Sequence, residues 1–306
     1  MIRGLFAGLA TLDVVSHVER APGPDEKVTA TWQLLAGGGP ALNAAVVFAA
    51  LGGEATLLSR VGDGPAADLI RADLAGCGVR LVDVARDGTP PVSSITVESD
   101  GTRRVVGLDA TSAAIDAPDA PDAADDPASE GAMPEVDVVL VDGHHPDLAA
   151  AALGHGARLG VPRVLDAGRW KPPMRDLFPG CTHVLASAAF RLEGREESVE
   201  ARLGRLMRII GTGSGHRLAG ITAGGGDIAW IEREPGGTLV NGRTRPPLVE
   251  ALDTLGAGDA LHGAYAWGLA AGVPDPLEVA ATVASRSCET RGTRAWLDRA
   301  REFARR

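Results

Sequence analysis

Strand-like and helix-like segments take turns along this chain, and that alternation restricts its fold more than any other feature. Short apolar or β-branched runs bounded by Gly, Asp or Pro recur as "GLFAGL", "ATLLSRVG", "SSITVE", "DVVLVDG", "PRVLDAG", "THVLAS", "LAGITAG" and "IAWIERE". Between several of them the pattern predicts helices over Pro40–Leu51, Pro65–Gly76, Asp147–Gly160, Val199–Ile210, Asp259–Ala271, Pro276–Thr290 and Thr293–Arg305. Runs such as "VDVVLVDG" are apolar without interruption, so both faces of the strand need cover, as in a parallel sheet held between two helical layers. The expected fold class is α/β. With 306 residues, 45% of them hydrophobic, and no linker in mid-chain, residues 1–306 read as one domain around a large core.

Two regions break the alternation. Val14–Leu35 and Pro91–Leu108 are strand-like with no helix between, and "SDGT" at Ser99–Thr102 reads as a hairpin turn. They predict a small β-strand lid built from parts of 14–35 and 91–108. Residues 112–135 are rich in Ala, Asp and Pro, which cannot bury enough apolar surface to offset ordering, and read as a mobile surface loop.

Composition excludes several classes of protein. The longest apolar window, around "ALNAAVVFAALGG", is too short to span a bilayer and is interrupted by Asn43; "MIRGLFAGLATLD" runs into Asp13 with no cleavage-like site. The reading is a cytoplasmic protein without a membrane partner. Cys77, Cys181 and Cys288 are widely spaced and form neither a disulfide ladder nor a CxxC pair. A net charge of −10 with scattered basic residues argues against nucleic acid as a partner.

Two glycine turns carry the chemistry. In "DTLGAGDALHGAY", Gly256-Ala257-Gly258 makes a tight turn and Asp259 opens a helix. Unpaired N–H groups and the positive end of the helix dipole make such a turn a seat for phosphate oxygens. Asp259 would then stand where it accepts the proton of an attacking hydroxyl. A plain N-cap explains the same residue, so this stretch leaves both readings open. In "AGGGPALNAA", Gly37-Gly38-Gly39 precede Pro40 at a first helical position, and Asn43 follows one turn in, off the apolar side made by Leu42, Val46 and Ala50. Asp13, at the end of the first strand, is a second carboxylate at a strand's C-terminal edge, where open α/β sheets bind ligands. Singly, Asn43 reads equally as a surface residue and Asp13 as a turn former.

Together these stretches resemble the ribokinase, or phosphofructokinase-B type, family of carbohydrate kinases. "GGGPALNAA…LG…SRVGDG" is similar to the family's first signature and "DTLGAGDALHGAY" to its second, and the intervening strands fit nearly the whole chain. "VDGHHPDLAAAALGHGARLGVPRVLDAGRW" and "THVLASAAF" look most like the branch containing ketohexokinase and sulfofructose kinase. The resemblance implies a three-layer ribokinase-like sandwich and ATP-dependent phosphorylation of a primary hydroxyl, on a ketose or related sugar. It further implies Asp259 as general base with Gly256, Ala257 and Gly258 as anion hole, and Asp13, Gly38, Gly39 and Asn43 on the sugar. Thr222, Gly224, Ala284 and Cys288 would line the nucleotide, Asp253 would bind a monovalent cation such as K⁺, and the lid would form a homodimer interface. Gly64 and Ala67 depart from the first signature, and "ASAAF" carries no Asn-x-x-Glu motif for organising Mg²⁺, although Mg²⁺ on ATP is still expected.

Arg104 is a candidate substrate contact on the lid, or a solvated lid residue. His144-His145 and His262 lack metal-ligand spacing; turn, substrate-edge or packing roles fit them. No GxxxxGK[ST] occurs, which excludes a P-loop kinase, and Gly211, Gly213 and Gly215 do not satisfy GxGxxG, which weakens a dinucleotide reading. The competing functions are a nucleoside kinase and a catalytically silent sugar-binding or regulatory protein.

Overall fold

A computed structural model describes residues 1–85, 88–108, 133–211 and 215–304. Of the expected loop at 112–135, all but the last three positions lie outside these described residues. Strands β1 (Arg3–Ala7), β4 (Glu54–Ser59), β5 (Val79–Asp83), β8 (Val138–Val141), β9 (Arg163–Ala167), β10 (His183–Ala186), β11 (Arg217–Ala223), β12 (Gly226–Arg233) and β13 (Leu239–Thr244) form the large sheet. Its order is β13-β12-β11-β10-β9-β8-β1-β4-β5, parallel from β5 through to β11 and antiparallel for the last two strands. The smaller sheet holds β3 (Trp32–Gly38), β2 (Thr11–His17), β6 (Val92–Val97) and β7 (Arg103–Val106) in that order.

Alternation along each strand builds two cores. Val138 and Leu140 face the layer of α1 (Pro40–Ala50), α2 (Pro65–Gly76), α5 (Ala257–Ala271) and α6 (Pro276–Ser287). Val139 and Val141 face α3 (Pro146–Leu159) and α4 (Val199–Ile209). This is why the strands read as unbroken apolar runs. Between α1 and α5 the backbones come close: a Cβ on Gly263 would stand 2.4 Å from Ala44 O. That approach puts the first turn of α1 beside the first turn of α5.

Two sequence readings are corrected here. The helix expected over Thr293–Arg305 is broken into turns, a 3-10 turn at Leu297–Arg299 and a four-residue helix α7 (Ala300–Phe303). Trp296 is buried in the core and Arg294 is tied to Gly37 and Asp73, so tertiary contacts override local helix propensity. Strand β13 escaped notice because its "LVNGRT" is a polar edge strand with no buried residue to show a period. Among the described residues, no helix is long and apolar enough to cross a membrane.

Candidate active site

The carboxyl ends of the parallel strands meet the amino ends of α1 and α5, and the motif residues collect there. Asp259 sits half-buried in the first turn of α5. Gly256 caps that helix at φ 74°, a left-handed conformation that L side chains resist, and a Cβ there would meet Thr293 at 2.7 Å. The first-turn N–H groups at Gly258 and Asp259 have no intrahelical acceptor, so the turn presents donors and a positive dipole end. Asn43, buried in the first turn of α1, donates from Nδ2 to Asp259 Oδ2 at 2.7 Å.

Asp13 is not at the carboxyl end of the first strand, which stops at Ala7, but third in β2 of the small sheet, with its carboxylate in the space that a side chain on Gly38 would occupy; a Cβ at Gly38 would fall 2.1 Å from Asp13 Oδ2. Gly39 caps α1 at φ 95°, and a Cβ there would press on Leu9 O at 2.4 Å. Asp142, at the end of β8, holds this corner by accepting from Leu9 N and Ala41 N. The two glycines and Asp142 therefore set where Asp13 and Asn43 stand.

Burial dominates the electrostatics. It pushes Asp259 up to about 7, helped by the neighbouring charge of Asp166 and opposed by the hydrogen bond from Asn43. Burial likewise raises Asp13 to about 6, with Ser93 and Arg294 pulling the other way. Asp166, at the end of β9, is buried and also shifted upward by burial, with His262 Nδ1 3.3 Å from its Oδ2. The His262 ring sits between two carbonyls, Nδ1 2.7 Å from Gly258 O and Nε2 3.1 Å from Leu185 O, and so lies between the turn and β10.

On the other side of the turn lies a cavity of about 270 Å³. Thr222, Gly224, Ala284 and Cys288 line it, together with Ala257 and Gly258 of the turn. Its walls are mostly apolar, with Ile228 and Leu261 among them, as suits a flat heterocycle. Asp259 thus stands between this cavity and the Asp13–Asn43 corner.

Comparisons with known proteins give the family of the chain. The family described as pfkB family carbohydrate kinase matches residues 5–299. The chain belongs to that family. An ATP-dependent ribose-1-phosphate kinase of Halopiger xanaduensis is 29% identical over 267 residues, covering 87% of this chain and 84% of that protein. The ketohexokinase of Mus musculus is 24% identical over 312 residues, covering 94% and 96%. A ribokinase structure from Thermotoga maritima superposes with a TM-score of 0.73 at 16% identity, covering 99% and 98%, and shows the shared ribokinase-like fold.

Other candidates in this carbohydrate kinase sit differently from their reading in the sequence. Arg104 pairs with Glu98 on the exposed face of the small sheet and is not brought to the cluster; its neighbour Arg103 instead donates to Thr254 O and Oγ1 beside the glycine turn. Strand alternation decides which of the two faces inward. Asp253 is buried, and its carboxylate already accepts from His17 Nε2 (3.0 Å), Gly292 N (2.9 Å) and Leu255 N (2.9 Å). Three of the carboxylate's acceptor positions are thus taken by groups of the protein itself. His144 and Lys171 share a contact at 3.1 Å near Asp166. Among the described residues, no group of three or more His, Cys, Asp or Glu can hold a metal ion. At "ASAAF", Phe190 is buried against Trp170 and Phe178, so this stretch supplies packing and no carboxylate. Sequence reasoning missed Asp166, His17 and Arg103; only the strand-end position of Asp166 in "VLDAG" was a signal.

Proposed function

We propose that this carbohydrate kinase uses ATP to phosphorylate a primary hydroxyl of a ketose or related sugar. The observation that carries the reading is the placement of Asp259, held by Asn43 on one side and directly following Ala257 and Gly258, which line the mostly apolar cavity, on the other. A carboxylate with a pKa near neutrality both exists ionised and has driving force to take a proton. In the proposed step, the sugar hydroxyl gives its proton to Asp259 as its oxygen bonds to the γ-phosphorus. The bond from that phosphorus to the β–γ bridging oxygen breaks, and ADP leaves. Of the turn amides from Gly256 to Gly258, that of Ala257 already donates to Thr254 O at 3.3 Å, and the Gly258 amide at the open end of α5 stabilises charge on the phosphoryl oxygens. Mg²⁺ belongs to the substrate, chelated by the ATP phosphates, and neutralises their charge.

Asp13, Gly38, Gly39 and Asn43 shape the sugar corner, and Thr222, Gly224, Ala284 and Cys288 the nucleotide wall. The small sheet is proposed to act as a lid, since Arg103 already bridges it to the glycine turn, and closure would keep water from the γ-phosphate. Leu35, Val92 and Val106 are exposed on its outer face, which supports a homodimer through the lid; sedimentation at a single chain mass would reject that. Because His17 fills the donor role against Asp253, turnover is expected to be equal in K⁺ and in Na⁺ at matched ionic strength. A rise of several-fold specific to K⁺ would reject that role for His17.

A coupled ADP-release assay tests the function itself, with ketoses, aldoses, ribose 1-phosphate, sulfonated sugars and nucleosides as acceptors. Sugar-dependent ADP release supports the reading, nucleoside-only turnover replaces it, and no turnover on any acceptor rejects it.

A further inference from the structure

Arg294 comes from the irregular segment after α6 and sends its side chain beneath the first turn of α1, 14% exposed. Its guanidinium makes a fan of contacts: Nη2 to Gly37 O (2.6 Å) and Asp73 Oδ2 (2.8 Å), Nε to Asp73 Oδ2 (3.2 Å), and Nη1 to Thr293 Oγ1 (3.0 Å) and Asn43 Oδ1 (3.1 Å). Asp73 also accepts from Gly37 N, which closes the network on the strand that leads into the Gly38-Gly39 turn.

A guanidinium only donates, and an ionised carboxylate only accepts. The Asn43 amide stands between one of each. With Oδ1 toward Arg294 its Nδ2 points at Asp259, and both contacts are favourable. Turned over, the amide would set N–H against N–H at one end and oxygen against oxygen at the other. Arg294 therefore selects the orientation in which Asn43 serves Asp259, and its other bonds hold the guanidinium where it can do so.

We infer that Arg294 is a positioning residue for phosphoryl transfer, acting through the Asn43 amide to keep Asp259 Oδ2 hydrogen-bonded and Oδ1 turned to the acceptor hydroxyl. This rests on the reading of Asp259 as the base. The charged and titratable groups facing Asp259 are Asp166 from β9, Asp13 from β2 and His262 from α5 itself, with Arg294 and Asp73 behind Asn43. Asp166 and Asp13 oppose ionisation of Asp259, and the Asn43 bond favours it. Loss of a constrained donor to a charged acceptor is therefore read in the acidic limb of the rate profile.

Arg294→Met is expected to lower kcat by roughly tenfold to a hundredfold, as for loss of a hydrogen bond to a charged group, with nucleotide KM unchanged. The acidic limb of kcat is expected to move to higher pH. In an Asn43→Ala background the same Arg294→Met change is expected to leave the limb where Asn43→Ala put it, because the path through the amide is already cut. A merely electrostatic or structural role would shift both backgrounds alike, and that result overturns the inference. Should Arg294→Met fail to fold, Arg294→Lys carries the same comparison, since one ammonium cannot span Asn43, Gly37 and Asp73 together. Asp259→Asn assayed alongside separates the two levels. If it is inactive while the Arg294 variants keep the parent's limb and kcat, the role of Arg294 falls alone. If it turns over at the parent's rate, the base assignment falls with it.

Discussion

Asp259→Asn is expected to lower kcat by about 10³-fold, within the range of a lost general base, while sugar and nucleotide still bind. The amide keeps the size of the carboxylate and removes only its capacity to take a proton. In the parent enzyme kcat/KM is expected to rise with pH through about 7, where Asp259 loses its proton, and the variant's residual rate is expected to lack that limb. Stability gives an independent check. Asp259 moves from 3.8 in an ordinary setting to about 7 in the fold, so between those values the folded state keeps a proton that the unfolded chain has lost. Its contribution to stability therefore falls as pH rises through that window. At pH 8 the Asn variant is expected to melt no lower than the parent. Turnover at the parental rate, or a melting temperature well below the parent's, would each contradict the assigned environment.

Gly39→Ala is expected to be strongly damaging. At φ 95°, ψ 146° an L side chain is strained whatever the space around it, and here the new Cβ would also stand 2.4 Å from the Leu9 carbonyl. Strain of about 1–3 kcal/mol and a comparable cost of overpacking add at one position. A loss of roughly 3 kcal/mol corresponds to a fall in melting temperature of about 5 °C for a chain of this size. Activity should fall too, because Asn43 N donates to Gly39 O and the turn sets the register of α1. Differential scanning calorimetry reads the first effect. A melting temperature within a degree or two of the parent's would mean that the turn relaxes freely.

Local pattern made part of this legible. The unbroken apolar runs gave away a buried parallel sheet, because a strand covered on both faces has no polar alternation to show. Pro40 and Pro65 open helices where their missing N–H is harmless. The turn ahead of α5 and the Gly38-Gly39 pair were readable because backbone conformation and close approach select glycine on the spot. The polar edge strand β13 and the broken segment after Gly292 were not, since a solvent-facing edge and a docked Trp296 leave no periodic trace.

The partners of the site were legible only in three dimensions. Arg294 and Asn43 are 251 positions apart, and His17 and Asp253 are 236 apart. No spacing rule connects such pairs. Arg103 and Arg104 are adjacent and chemically alike, yet strand register turns one to the glycine turn and the other to Glu98.

The sequence by itself determined the fold class and the two glycine turns, because backbone conformation and the burial of alternate residues are local properties. The tertiary structure alone decided what surrounds Asp259. Its ionisation is set first by burial, then by the charge of Asp166 and the hydrogen bond from Asn43, which reach it through the packing of β9 and α1, and burial, fields and hydrogen bonds follow distance in space.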